Sequence, residues 1–251
     1  MSLAGGNRGD VLASAREELT LWRIHPLVAT SLFVLPFAGA AALAGLREGA
    51  LFDFLIREDS LLEWLQVAGL CGAVLFAARI ATSLGRVGEV PLAGAYGLLA
   101  LGCALVLGEE LSWGQRLLDL QAPERLAEIN PRGGLDVHGV PAIRAPLRLV
   151  LVAIALYGSL LSVAVRLSRR PGRAVELLLP PVFLTGFFLA PLAYHGLRFG
   201  LDPGGFFGPE RRRTLIGLGE WMEFCFALGL LAFLALGRRR LRSATIRPSR
   251  N

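Results

Sequence analysis

Six long runs with almost no charged residue leave this 251-residue chain few ways to fold. They are Pro26–Leu46, Leu61–Ile80, Val90–Gly108, Leu149–Val165, Leu177–Leu197 and Thr214–Gly237. The runs hold 17 to 24 residues each. About 20 mostly apolar residues cross a bilayer as a helix. Lipid offers no partner to a bare peptide group, so a crossing segment must satisfy its own backbone. Uninterrupted runs of this length do so as helices. The expectation is an all-α, polytopic membrane bundle of six transmembrane helices. An interfacial segment, 1–25, precedes the bundle at 26–237, and a basic tail, 238–251, follows it. The region 10–23 reads as an amphipathic surface helix. Pro180, Pro181 and Pro191 should kink the fifth run.

Composition agrees with that class. Only 18% of residues are charged and 54% are hydrophobic, against about 25% charged in average soluble domains. The net charge of +6 comes from arginine alone, since the chain has no lysine. These arginines occupy connectors and the tail rather than one soluble face, which argues against nucleic acid. Cys71, Cys103 and Cys225 each lie within an apolar run and read as small fillers, with no disulfide or metal spacing.

Arginine placement sets the expected orientation. With the N-terminus in the cytoplasm, fifteen arginines fall on the cytoplasmic side and eleven opposite. The connector 166–173 and the tail are almost purely basic, whereas the outer arginines are mixed with acids. Both termini are therefore expected inside. One consequence is that acids and imidazoles gather at a single level. Glu58, Asp59 and Glu63 open the second run, and Glu109 and Glu110 close the third. The outer loop 111–147 carries His138, the fifth run ends near His195, and Glu220 and Glu223 begin the sixth.

Each group has a structural reading beside a chemical one. Ser60-Leu61-Leu62-Glu63 has the form of a capping box. Glu109 and Glu110 sit at a helix C-terminus, where the dipole disfavours anions, so they need partners. Glu220 and Glu223 share a face at i, i+3, inside an apolar run where charge is expensive. In the chemical reading, Glu109, Glu110, Glu63 and His195 are the catalytic candidates, with a glutamate as general base on water. Alternatively Glu110, Glu220, Glu223, His195 and His138 hold a divalent metal that acidifies the water. Arg116, Arg211 and Arg212, with Trp113 and Gln115, would bind the headgroup of a lipid or lipid-linked substrate. In the competing reading the same groups form a structural network in a scaffold or small subunit with a membrane-protein partner. Ion or proton transport is a third, but the cytoplasmic halves of the runs offer no relay.

The stretch Gly108-Glu109-Glu110-Leu111-Ser112-Trp113-Gly114-Gln115-Arg116 resembles the G-E-E-[IL]-S-W-G-Q-R signature of a family of uncharacterised bacterial and archaeal multipass membrane proteins. Glu58-Asp59-Ser60-Leu61-Leu62-Glu63-Trp64 is similar to that family's E-D-G-x-x-E-W segment. Asn130 and Leu135-Asp136-Val137-His138-Gly139 match its asparagine-rich loop only in part. The resemblance implies a prokaryotic cytoplasmic membrane and no particular activity. A looser likeness is to the CAAX-type intramembrane proteases, whose E-E-x-x-x-R motif is met here by Gly114 in place of the arginine.

Overall fold

The computed structural model describes residues 19–20, 24–47, 49–57, 60–118, 121, 123–130, 134–136, 140–168, 172–201 and 208–245. Most of 10–23, together with Glu58, Asp59 and His138, lies outside them. Among the described residues the chain is helical and has no strand. In chain order the helices are α1 (Pro26–Gly45), α2 (Ala50–Ile56), α3 (Leu61–Arg86), α4 (Val90–Glu110), α5 (Gln115–Leu118) and α6 (Glu124–Ile129). They continue with α7 (Pro141–Leu156), α8 (Ser162–Ser168), α9 (Arg173–Leu178), α10 (Gly186–Leu201) and α11 (Pro209–Thr245). Five stretches are long and apolar enough to cross a membrane, and α9 with α10 makes a sixth if that bent pair is one span.

Local signals set the boundaries. His25 caps α1 by accepting the Leu27 amide at Nδ1 (3.3 Å), and Pro26 fits the first turn, where no N–H is needed. Ser60 caps α3 by accepting the Glu63 amide at Oγ (3.3 Å). Gly88, at φ +81°, supplies the left-handed residue that turns α3 into α4. The third and fourth helices pack along their lengths, and α11 lies along α3. Small residues bring α11 close: Gly69 faces Ala227, Gly72 faces Leu231, and Gly237 faces Ile80. Helix α11 has 37 residues, which is about 55 Å of rise. It outruns a hydrocarbon core of about 30 Å and carries arginines at both ends. The outer faces of the other helices stay apolar; Leu98 is 72% exposed. Such a surface suits lipid.

The fifth run is broken rather than kinked. Helix α9 stops at Leu178, a single turn spans Val182–Leu184, and α10 leaves at 74° to the first half. Pro180 and Pro181 have no N–H to give and exclude the helical path before them. Four successive carbonyls thereby lose their helical donors, and neighbouring side chains replace them. Tyr96 donates to Leu177 (2.5 Å), Tyr157 to Leu178 (2.9 Å), and Ser162 to Pro180 (2.5 Å). Arg166 donates to Leu179 and Pro180, each at 3.2 Å. A π-helical turn at Tyr157–Leu161 joins α7 to α8 and separates two of these donors. Arg240 pairs with Glu176 and fixes the far end of α11 to α9. Tyr96→Phe is expected to strand the buried Leu177 carbonyl, at a cost of about 1–3 kcal/mol. A thermal melt in detergent that matches the parent would refute this.

Other boundaries also move. The fourth run extends from Pro141 to Ser168 with only the π turn inside it, and the second reaches Arg86 rather than Ile80. The expected outer loop 111–147 holds the short helices α5 and α6 and the start of α7.

Candidate functional site

Side-chain ties show which helix ends lie together. At one end α10 meets α11 through Tyr194 and Leu215, and α2 meets α11 through Asp53 and Arg213. At the other end α9 meets α11 through Glu176 and Arg240. The first end is the one reached by the start of α3, the end of α4, the start of α7 and the end of α10. Glu63, Glu110, Arg148, His195 and Glu220 therefore share a level of the bundle.

The best-defined polar cluster at this level stands on α10. The Tyr194 hydroxyl donates to the Leu215 carbonyl (2.8 Å) and accepts from Arg198 Nη1 (2.9 Å). Its oxygen would lie 3.0 Å from a Cβ at Gly219, so the absent side chain there admits the phenol. His195 is 9% exposed, and its Nδ1 is buried with no hydrogen-bond partner. The imidazole stands edge-on to the Tyr194 ring, with centroids 5.2 Å apart.

Two arginines stand toward the same end of the bundle on different helices. The π-helical turn that continues α7 meets α10 closely where Gly158 lies on the Phe188 ring. Ten residues along each helix from that crossing, about 15 Å of rise, stand Arg148 and Arg198. Both guanidinium charges act on His195. From α11, Glu223 acts on Tyr194 and follows Gly219 by four residues, on the same face. Three members of this cluster, Arg148, Tyr194 and Arg198, are absent from the site expected from sequence. The one sequence clue is the i, i+4 spacing of Tyr194 and Arg198 beside His195.

The Gly108–Arg116 stretch does a different job. Ser112 (φ +45°), Trp113 (φ +52°) and Gly114 (φ +90°) follow one another in left-handed backbone. Only glycine adopts that conformation freely, so Ser112 and Trp113 each carry strain of about 1–3 kcal/mol. The reversal lays the Trp113 ring over Gly108, where a Cβ would come within 2.9 Å of it. It also lets the indole N–H donate to Glu109 Oε1 at 2.7 Å. That bond gives Glu109 the donor its place at a helix C-terminus demands. Gln115 Oε1 accepts the Leu135 amide (2.8 Å), holding 134–136 against α5. Asn130 Nδ2 donates to the Gly134 and Asp136 carbonyls, each at 2.9 Å.

The remaining candidates are placed as follows. Glu63 lies in the first turn capped by Ser60 and is half-buried, as are Glu110 and Glu220. Glu223 and Arg212 are exposed. The side chains of Arg116 and Arg211, and all of His138, lie outside the described residues. The Trp221 indole donates to the Pro36 carbonyl (2.8 Å), packing against Gly39 of α1. Among the described residues no three His, Cys, Asp or Glu side chains are grouped as a metal ion requires. Glu110, Glu220, Glu223 and His195 thus share a level without forming the expected metal-ligand set there. Comparisons with protein-family models, curated proteins and solved structures give no match.

Proposed function

We propose that this chain is a multi-pass protein of a prokaryotic cytoplasmic membrane, with both termini in the cytoplasm. We further propose that it hydrolyses, or transfers a group from, a lipid or lipid-linked substrate at the opposite face. The observation that carries this reading is the buried, unbonded Nδ1 of His195 on α10, three residues before Arg198. An imidazole nitrogen with no partner is able to take a proton. In the proposed step His195 removes a proton from water or an alcohol as its oxygen bonds to the substrate's electrophilic centre. The leaving oxygen departs with its bonding electrons and takes the proton back from His195. Arg148 and Arg198 offset the negative charge that develops meanwhile. Glu110 and Glu63, at the same level, border the site in this scheme.

A structural reading has its own support. Glu109 bonded to Trp113, and Ser60 capping the turn of Glu63, are the jobs such groups perform in a scaffold or small subunit. One experiment separates the two. Protein in nanodiscs made from a bacterial polar lipid extract is incubated, and released headgroups and new lipids are followed by mass spectrometry. The enzyme reading expects a product that grows with time and protein. An unchanged lipid profile across the extract removes that reading and favours the scaffold.

A further inference from the structure

We propose that Arg79 and Arg238, with Arg242 beside them, form a binding site for the headgroup of an anionic phospholipid at the end of the bundle opposite His195. The site lies apart from the enzyme reading and does not depend on it. Three observations carry it.

First, the packing of α3 on α11 brings these arginines together. The two helices run side by side in the same direction, from Gly69 facing Ala227 to Ile80 facing Gly237. At the last of these contacts a Cβ on Gly237 would stand 3.7 Å from Ile80 Cδ1. Arg79 immediately precedes Ile80, and Arg238 immediately follows Gly237. The Arg238 guanidinium rests over the Phe76 ring of α3, its Cζ 5.5 Å from the centroid. Phe76 and Arg79, three residues apart, are neighbours on one face of α3, and Arg238 and Arg242, four apart, are neighbours on one face of α11. The charges of Arg79 and Arg242 both act on Arg238.

Second, the chain does not balance this charge itself. Among the described residues, the guanidiniums of Arg79, Arg238 and Arg242 make no hydrogen bond or ion pair. The described acids at this end are Glu89 and Glu176; Glu176 is held by Arg240, and Glu89 forms no ion pair. Helix dipoles do not account for the cluster either. Their pull on cations fades beyond the last turn, and Arg79 and Arg238 each stand seven residues before the final residue of their helix. Like charges at i, i+4 repel. An anion between the helices removes that penalty. The Phe76 ring engages the face of the Arg238 guanidinium and not its N–H edge, which keeps the fork of donors for phosphate oxygens.

Third, an apolar track leads to the cluster. Cys71 and Leu75 precede Arg79 at steps of four along α3, and both are exposed, Leu75 by 57%. An acyl chain lying on this track places its headgroup at Arg79. The occupant is therefore a lipid of the surrounding bilayer rather than a soluble anion.

The test uses the purified full chain, with native mass spectrometry reading bound lipid. The probes are palmitoyl-oleoyl phosphatidylglycerol and phosphatidylcholine, which share their chains and differ in net charge. Phosphatidylglycerol should be retained about tenfold more than phosphatidylcholine. The preference should vanish in Arg79→Gln/Arg238→Gln. It should persist in Arg57→Gln/Arg212→Gln, which removes two exposed arginines from the opposite end. Equal retention of the two lipids by the parent overturns the proposal, and so does undiminished preference in a folded Arg79→Gln/Arg238→Gln protein. An equal loss in the Arg57→Gln/Arg212→Gln protein also overturns it, because overall charge would then explain the preference. If the first double variant does not fold, Arg242→Gln at an exposed position decides: a preference reduced severalfold supports the site, and an unchanged one overturns it. Displacement of the lipid by millimolar inorganic phosphate would overturn the assignment to a lipid.

Discussion

His195→Gln should fold like the parent and lose turnover by about 10²–10⁴-fold, the usual contribution of a positioned general base. Glutamine approximates the size and polarity of imidazole but cannot accept a proton near neutral pH. The Tyr194 bonds to Arg198 and Leu215 do not involve the imidazole, so the surrounding cluster should survive. Binding of substrate, measured by lipid retention, should therefore change little while the chemical step is lost. A neighbouring control sharpens the result. A Cβ at Gly196 would meet nothing within 4 Å, so Gly196→Ala should leave both stability and turnover near the parent's. Full turnover in a folded His195→Gln protein would eliminate His195 as the base.

Gly186→Ala should be among the most destabilising single-methyl changes in the protein. The added Cβ would run into the Phe33 carbonyl oxygen and come within 2.9 Å of its carbon. Those atoms are backbone in the middle of α1, so no side-chain rotation relieves the clash. Overpacking of this kind costs about 1–3 kcal/mol, occasionally more. The usual gain from replacing a helical glycine, about 0.5–1 kcal/mol, would be overwhelmed. Gly102→Ala on α4, with open space around it, isolates that gain. The expected order of melting temperature in detergent is Gly102→Ala at or above the parent, and Gly186→Ala well below. Equal melting of the two variants would mean that α1 and α10 do not meet at this point.

The apolar runs make the long helices legible, because lipid-length segments without charge have few other folds. The level shared by Glu63, Glu110 and His195 is legible too, since alternation along a helical bundle fixes which ends lie together. Rotation of each helix about its axis is not. Whether Arg148 faces α10 depends on the Gly158–Phe188 crossing, and a run as uniformly apolar as 149–165 gives no stripe from which to read it. The acids of Gly108–Arg116 mislead for a related reason. A residue-by-residue account leaves Glu109 wanting a cation, but the left-handed Ser112–Gly114 turn returns an indole N–H to it. Prolines 180 and 181 announce a disturbance without its size. A break instead of a kink is tolerable only because Tyr96, Tyr157, Ser162 and Arg166 stand ready with donors, and those lie 13 to 81 residues away along the chain.

That arrangement also bears on how the chain is built. A newly made segment 174–198 leaving the translocation machinery alone would present its open carbonyls to hydrocarbon. The hydroxyls and guanidinium that cover them belong to segments synthesised earlier, so the bent α9–α10 pair can settle only against a preassembled α4, α7 and α8. Order of synthesis and order of assembly then coincide, with α11 closing Arg240 onto Glu176 as a latch.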